Sequence, residues 1–222
     1  MNATATAEIY DAVKPKWRGV LHQVFAVVAL GAGAVLLAVA NSPRAAWSGL
    51  VYCLSLVAMY TISATYHRGT WSTVARERMR RLDHAGIFLL IAGTYTPVAA
   101  LGIPGWPGTA LLWAAWIGAA LGIVHTVFFV NSFRRLNAVL YVAFGCMAIP
   151  VLPTVLAGLG GARTALVLAG GVVYITGAVV YGRKWPNPSA TVFGYHEVFH
   201  AMVIIASVLH FAVVLSLVRQ VS

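Results

Sequence analysis

Charge is what this chain has least of. Asp, Glu, Lys and Arg make up 9% of its 222 residues, against roughly 25% in a soluble domain. The apolar classes reach 60%, a balance that excludes both an ordinary water-soluble globule and a disordered chain. Acidic residues number five, and cysteines two. Cys53 and Cys146 both fall inside apolar runs, where a thiol acts as a small hydrophobe, so neither a disulfide framework nor a Cys-based metal site is expected. Lysine occurs at 14, 16 and 184, outside every long apolar run. A retinal-type Schiff base therefore has no anchor within a span. Internal repeats and low-complexity tracts are absent.

What the chain has in abundance is long apolar stretches. A helix crosses a bilayer in about 20 residues, and seven stretches qualify: about 20–40, 46–67, 81–102, 109–130, 136–158, 164–182 and 191–218. The fold class is all-α, a seven-helix polytopic membrane protein. Residues 1–19 form an N-terminal segment, residues 20–218 form the transmembrane domain, and no room remains for a sizeable soluble domain. Ala38-Val39-Ala40 resembles a signal-peptide cleavage site, but the first apolar run is longer than a signal core of about 7–15 residues and starts too late, so it reads as a retained span. Breakers mark the loops at Asn41-Ser42-Pro43, 104–108, 158–161 and Pro186-Asn187-Pro188. Pro97, Pro150 and Pro153 are expected to kink their spans. Gly118 and Gly122, spaced as G-x-x-x-G, are expected to permit close helix contact.

The sparse charge is unevenly placed. The net charge is +10, and counting alternate loops puts twelve basic residues on one side: Lys14, Lys16, Arg18, Arg68, Arg76, Arg78, Arg80, Arg81, Arg134, Arg135, Arg183 and Lys184. The other side has Arg44, Arg163 and Arg219. The positive-inside rule then places the N-terminus in the cytoplasm and the C-terminus outside, opposite to G-protein-coupled receptors. The expected partners of this charge are anionic lipid headgroups, with residues 76–81 against the membrane surface, and not nucleic acid. Oligomeric state is not legible.

An ionisable group inside a bilayer costs roughly 2.5–3.5 kcal/mol on insertion scales, so each one is a functional candidate. His196 and His200 are four residues apart and share a helix face, a spacing that can grip one metal ion. They belong to His196-Glu197-Val198-Phe199-His200, which also matches the zinc-protease pattern H-E-x-x-H. Histidines satisfied by hydrogen bonds to neighbouring helices are the competing reading. In an antiparallel arrangement His67 and Ser63, near the end of the second span, and Asp83, at the start of the third, reach the same depth as the pair. His67 is the expected third ligand. Asp83 either ligates directly or, as we favour, holds a water activated by the metal and takes its proton. Ser63 orients a ligand or donates to a developing oxyanion, or is bonded to its own helix backbone. His210 is roughly 15 Å further along the helix than His200, too deep to join, and is expected to make an interhelical hydrogen bond. His22, His84 and His125 are expected to be packing or interface residues.

The segments Ser63-Ala64-Thr65-Tyr66-His67-Arg68, Arg81-Leu82-Asp83-His84-Ala85-Gly86-Ile87-Phe88 and Phe193-Gly194-Tyr195-His196-Glu197-Val198-Phe199-His200 resemble the bacterial hemolysin III family, part of the progestin and adipoQ receptor superfamily. The resemblance covers nearly the whole chain. It implies seven helices in a bacterial inner membrane, a cytoplasmic N-terminus, and a zinc near the cytoplasmic face. It further implies His67, His196 and His200 as ligands, Asp83 bonded to the zinc water, and Ser63 nearby. Related alkaline ceramidases imply zinc-dependent hydrolysis of an N-acylated lipid. The hemolysin name implies a channel or cytolysin, and the receptor branch a regulator of membrane homeostasis with a structural zinc. A protease-like use of Glu197 as base has less support, because the resemblance gives that role to Asp83.

Overall fold

The computed structural model describes residues 14–129 and 134–220, with the backbone alone at 134–136. Residues 1–13 and the side chains of Arg134 and Arg135, included in the charge count above, lie outside the described residues. The described chain forms seven helical spans and no strand. The helices are α1 (Val20–Val39), α2 (Pro43–Arg68), α3 (Thr73–Gly102), α4 (Gly105–Phe129), α5 (Arg134–Gly145), α6 (Leu152–Leu159), α7 (Gly161–Arg183) and α8 (Tyr195–Gln220).

Local chemistry sets several of these boundaries. The Ser42 hydroxyl accepts from the Ala45 amide at 3.2 Å, with Pro43 opening α2. The Ser72 hydroxyl does the same for Ala75 at 3.3 Å, so α3 starts eight residues before the apolar run does. Both are N-caps that satisfy an amide with no carbonyl partner in the first turn. At 30 residues, α3 is about 45 Å long, which exceeds a hydrocarbon core of about 30 Å. Its arginine-rich first turns are thus a helical extension beyond the apolar layer, where Glu77 pairs with Arg80 at 2.5 Å and Arg81 at 3.3 Å.

The fifth span is broken. α5 ends at Gly145, a 3-10 turn covers Ile149–Val151, and α6 follows. Pro150 and Pro153 cannot donate backbone hydrogen bonds, and the expected kink becomes a full interruption. Tyr95 of α3 repairs it: its hydroxyl donates to the Gly145 carbonyl at 2.8 Å and accepts from the Ala148 amide at 3.2 Å. Irregular backbone at membrane depth survives only with such partners. By contrast, α3 continues through Pro97. Gly118 and Gly122 make room for aromatic rings instead of a neighbouring backbone. A Cβ at either would lie 2.6 Å from Phe144 or 2.3 Å from Phe88.

α3 and α8 form the middle of the bundle. One core cluster joins Phe88, Val98 and Ala99 of α3 to Leu111 and Ala115 of α4, Val155 and Leu159 of α6, and Val213 and Leu217 of α8. A second joins Leu36 of α1 and Tyr52, Leu56 and Met59 of α2 to Val203, Val214 and Val218 of α8. Large apolar side chains such as Val27, Leu30, Trp113, Leu121 and Val172 face outward, as a lipid-facing surface requires. α2, α3 and α8 therefore meet at one end of the bundle.

Candidate metal centre

The site is built from the last turns of α2, the third turn of α3 and the first two turns of α8. Histidines four residues apart on α8 project from one face. α8 begins at Tyr195, four residues later than the apolar run suggests, so His196 lies in its first turn and His200 in its second. The start is fixed by Asn187, whose side-chain oxygen accepts from the Tyr195 amide at 3.0 Å. Glu197 accepts from the Gly194 amide at 2.8 Å. This is one half of a capping box, with an acidic residue in the helix's third position reaching back to the cap.

Three imidazoles converge there. His67, His196 and His200 are all buried, and one ring nitrogen from each lies within 4.8 Å of the other two. The Nε2 atoms of His67 and His196 are 3.2 Å apart. Two nitrogens bound to one tetrahedral zinc at about 2.0–2.1 Å would be separated by about 3.3 Å, so the spacing and the all-nitrogen donor set fit that ion. The ring centroids are 4.6–5.1 Å apart. Tyr181 of α7 stands edge-on to His196 at 5.3 Å, closing one side with an aromatic wall.

Asp83 is the eleventh residue of α3 and not near its start, yet it reaches the cluster. Its carboxylate is 3.9 Å from His67 Nε2 and 3.7 Å from His84 Nδ1. Ser63, buried one turn before His67, lies beside that carboxylate. The structure thus brings together all five residues singled out in the sequence: Ser63, His67, Asp83, His196 and His200.

Glu197 does not join them. It is fully buried and its Oε1 accepts from Arg18 Nε at 2.5 Å. Its two oxygens are committed to an ion pair and a helix cap. Arg18 was not evident from local spacing, although a buried acid in an apolar helix demands a cation. His22 also lies closer to the site than a packing role suggests, with its ring stacked on His200 at 3.8 Å between centroids and 9° between planes. The remaining histidines are elsewhere. His125 bonds to Asn137 Oδ1 at 3.1 Å and His210 donates to the Val167 carbonyl at 3.1 Å, both between helices. His84 bonds to the Arg80 carbonyl at 2.9 Å.

Comparison with known proteins places the chain in a family. The family model described as "Haemolysin-III related" matches residues 10–211. The chain is 30% identical over 200 residues to a hemolysin-3 homolog of Bacillus subtilis, covering 88% of this chain and 90% of that one. It is 30% identical over 202 residues to hemolysin-3 of Bacillus cereus, covering 88% of each. The heptahelical transmembrane protein ADIPOR2 of rice is 29% identical over 192 residues, covering 76% and 80%. With seven apolar spans and these relatives, the chain is a multi-pass membrane protein that belongs to the hemolysin III family of the progestin and adipoQ receptor superfamily.

Proposed function

We propose that the chain is a zinc-dependent hydrolase of an N-acylated membrane lipid, with its site near the cytoplasmic face. The convergence of three buried imidazoles next to a buried carboxylate is the observation that carries this reading. His67, His196 and His200 would hold the ion. The chemistry it supplies when bound is polarisation of an acyl carbonyl and a lowered pKa for water.

The protein's own groups then have separate tasks. Asp83 takes a proton from the attacking water at a carboxylate oxygen as the new C–O bond forms. It returns that proton to the amine as the C–N bond breaks. Ser63, beside the Asp83 carboxylate, orients that group or donates to the developing oxyanion. The aromatic walls and the apolar bundle exclude bulk water, and the acyl chain approaches from the bilayer. Glu197 is not the base, since its oxygens are occupied by Arg18 and Gly194.

The name carried by the Bacillus relatives suggests lysis of membranes. A pore needs polar lining through the whole bilayer, yet toward the far end of α8 the bundle is closed by buried Val213, Val214, Leu217 and Val218. The test is a screen of N-acylated lipids for released fatty acid, using purified protein and its Asp83→Asn variant. Release that requires both Asp83 and metal supports the hydrolase. Ion conductance in pure-lipid vesicles, unchanged by His196→Ala and without fatty-acid release, replaces it with the channel reading.

A further inference from the structure

Apart from the pairing of Arg18 with Glu197, the first turn of α1 and the residues leading into it have no part in the proposed reaction, yet they touch the helices that carry the metal-site histidines. Arg18 pairs with Glu197, between His196 and His200 in sequence. Gly19 has φ +77°, and a Cβ there would sit 2.9 Å from the Cβ of His67. That backbone region and that spacing both favour glycine, and they let the chain enter α1 directly against α2. Lys16 and Trp17 donate backbone hydrogen bonds at 3.1 Å to the Thr191 and Val192 carbonyls of the loop before α8. These contacts place His22, on α1, face to face with His200.

We propose that His22 is a positioning residue for the metal centre, which fixes the ring plane of His200 by stacking. This inference rests on the zinc reading of the site. A metal-ligating imidazole is usually oriented by a hydrogen bond at its second nitrogen. A parallel ring at 3.8 Å and 9° restrains the same rotation through the ring face, leaving the edge nitrogens for the ion. His22 also packs against Tyr60, with ring centroids 5.0 Å apart. The His22 and His200 rings are buried, at 2% exposure each, so the stack is shielded from solvent. The three nitrogens that converge are those of His67, His196 and His200, and His22 acts on the ion only through His200.

The test measures zinc affinity of the full-length protein in detergent by competition with a fluorescent chelator, for wild type and for His22→Ala, His22→Leu and His22→Phe. Melting temperatures are recorded for each protein with zinc and after chelation. Losing an outer-shell partner of a metal ligand typically lowers affinity by about ten- to hundredfold. That loss is expected for the alanine and leucine variants, which lack a flat ring, together with a smaller zinc-induced rise in melting temperature. The phenylalanine variant is expected to retain most of the wild-type affinity. Leucine serves as the ringless variant if alanine leaves too large a cavity to fold. Wild-type affinity in both ringless variants overturns the proposal, as does equal loss in the phenylalanine variant, which would make His22 a ligand. A wild-type protein that binds no zinc overturns the zinc reading itself and is separable from either result.

Discussion

His200 and His210 lie on the same helix and are both buried, but their surroundings differ. His210 gives its ring N–H to the Val167 carbonyl, in a neighbourhood where Tyr174 bonds to Ser207 at 2.8 Å and Ser207 bonds to the Val203 carbonyl. Each of these groups has a hydrogen-bond partner in a neighbouring side chain or the backbone, although His210 Nδ1 has none among the described residues. His200 instead converges with the imidazoles of His67 and His196, with a carboxylate near His67, and stacks on that of His22. One ring nitrogen from each of His67, His196 and His200 lies within 4.8 Å of the other two, an arrangement that can hold a shared cation, whereas His210 has a backbone carbonyl as its partner. Burial alone therefore does not separate a site from packing; what the buried nitrogens point at does.

The comparison breaks most visibly if alanine substitutions on the two halves of α8 behave alike. His196→Ala or His200→Ala is expected to remove most of the bound zinc and, with it, any amidase turnover, as read by metal analysis of purified protein. His67→Ala should do the same from α2. Asp83→Asn sharpens the contrast by keeping the metal while lowering turnover by about 10²- to 10⁴-fold, the usual contribution of a general base. Full turnover by that variant would remove Asp83 from the role.

Glu197→Ala addresses stability. It leaves Arg18 without its buried partner, and breaking such a pair costs about 3–5 kcal/mol, to be measured as lost resistance to denaturant. Adding Arg18→Ala should recover part of that loss. The smallest effect is expected at the far half of the helix: His210→Phe should leave zinc content unchanged and cost about 1 kcal/mol, one interhelical hydrogen bond.

Seven spans were legible because an apolar run of bilayer length has few other uses. Most of their ends fell within a few residues of the observed helices, but two starts did not. A cap at Ser72 carries α3 backward through eight residues, five of them charged or polar, that a hydropathy reading assigns to a loop. On α8 the apolar run starts before the helix does, because the Pro186-to-Gly194 loop folds against residues 16 and 17. The histidine cluster could be read because two of its members are four apart on one helix and the alternating directions of the spans set the depth of the rest. Arg18 with Glu197 and His22 with His200 could not be read that way. Each pair is separated by more than 170 positions, so no local spacing reports it. Glu197 still offered a clue: a carboxylate inside an apolar helix costs several kcal/mol unless paired.

Zinc-edge X-ray absorption on the purified wild-type protein tests the central claim most directly. The account predicts one zinc per chain, with imidazole nitrogens at about 2.0–2.1 Å and multiple-scattering features of three histidine rings. Protein without zinc, or zinc held by fewer than three imidazoles, would contradict it.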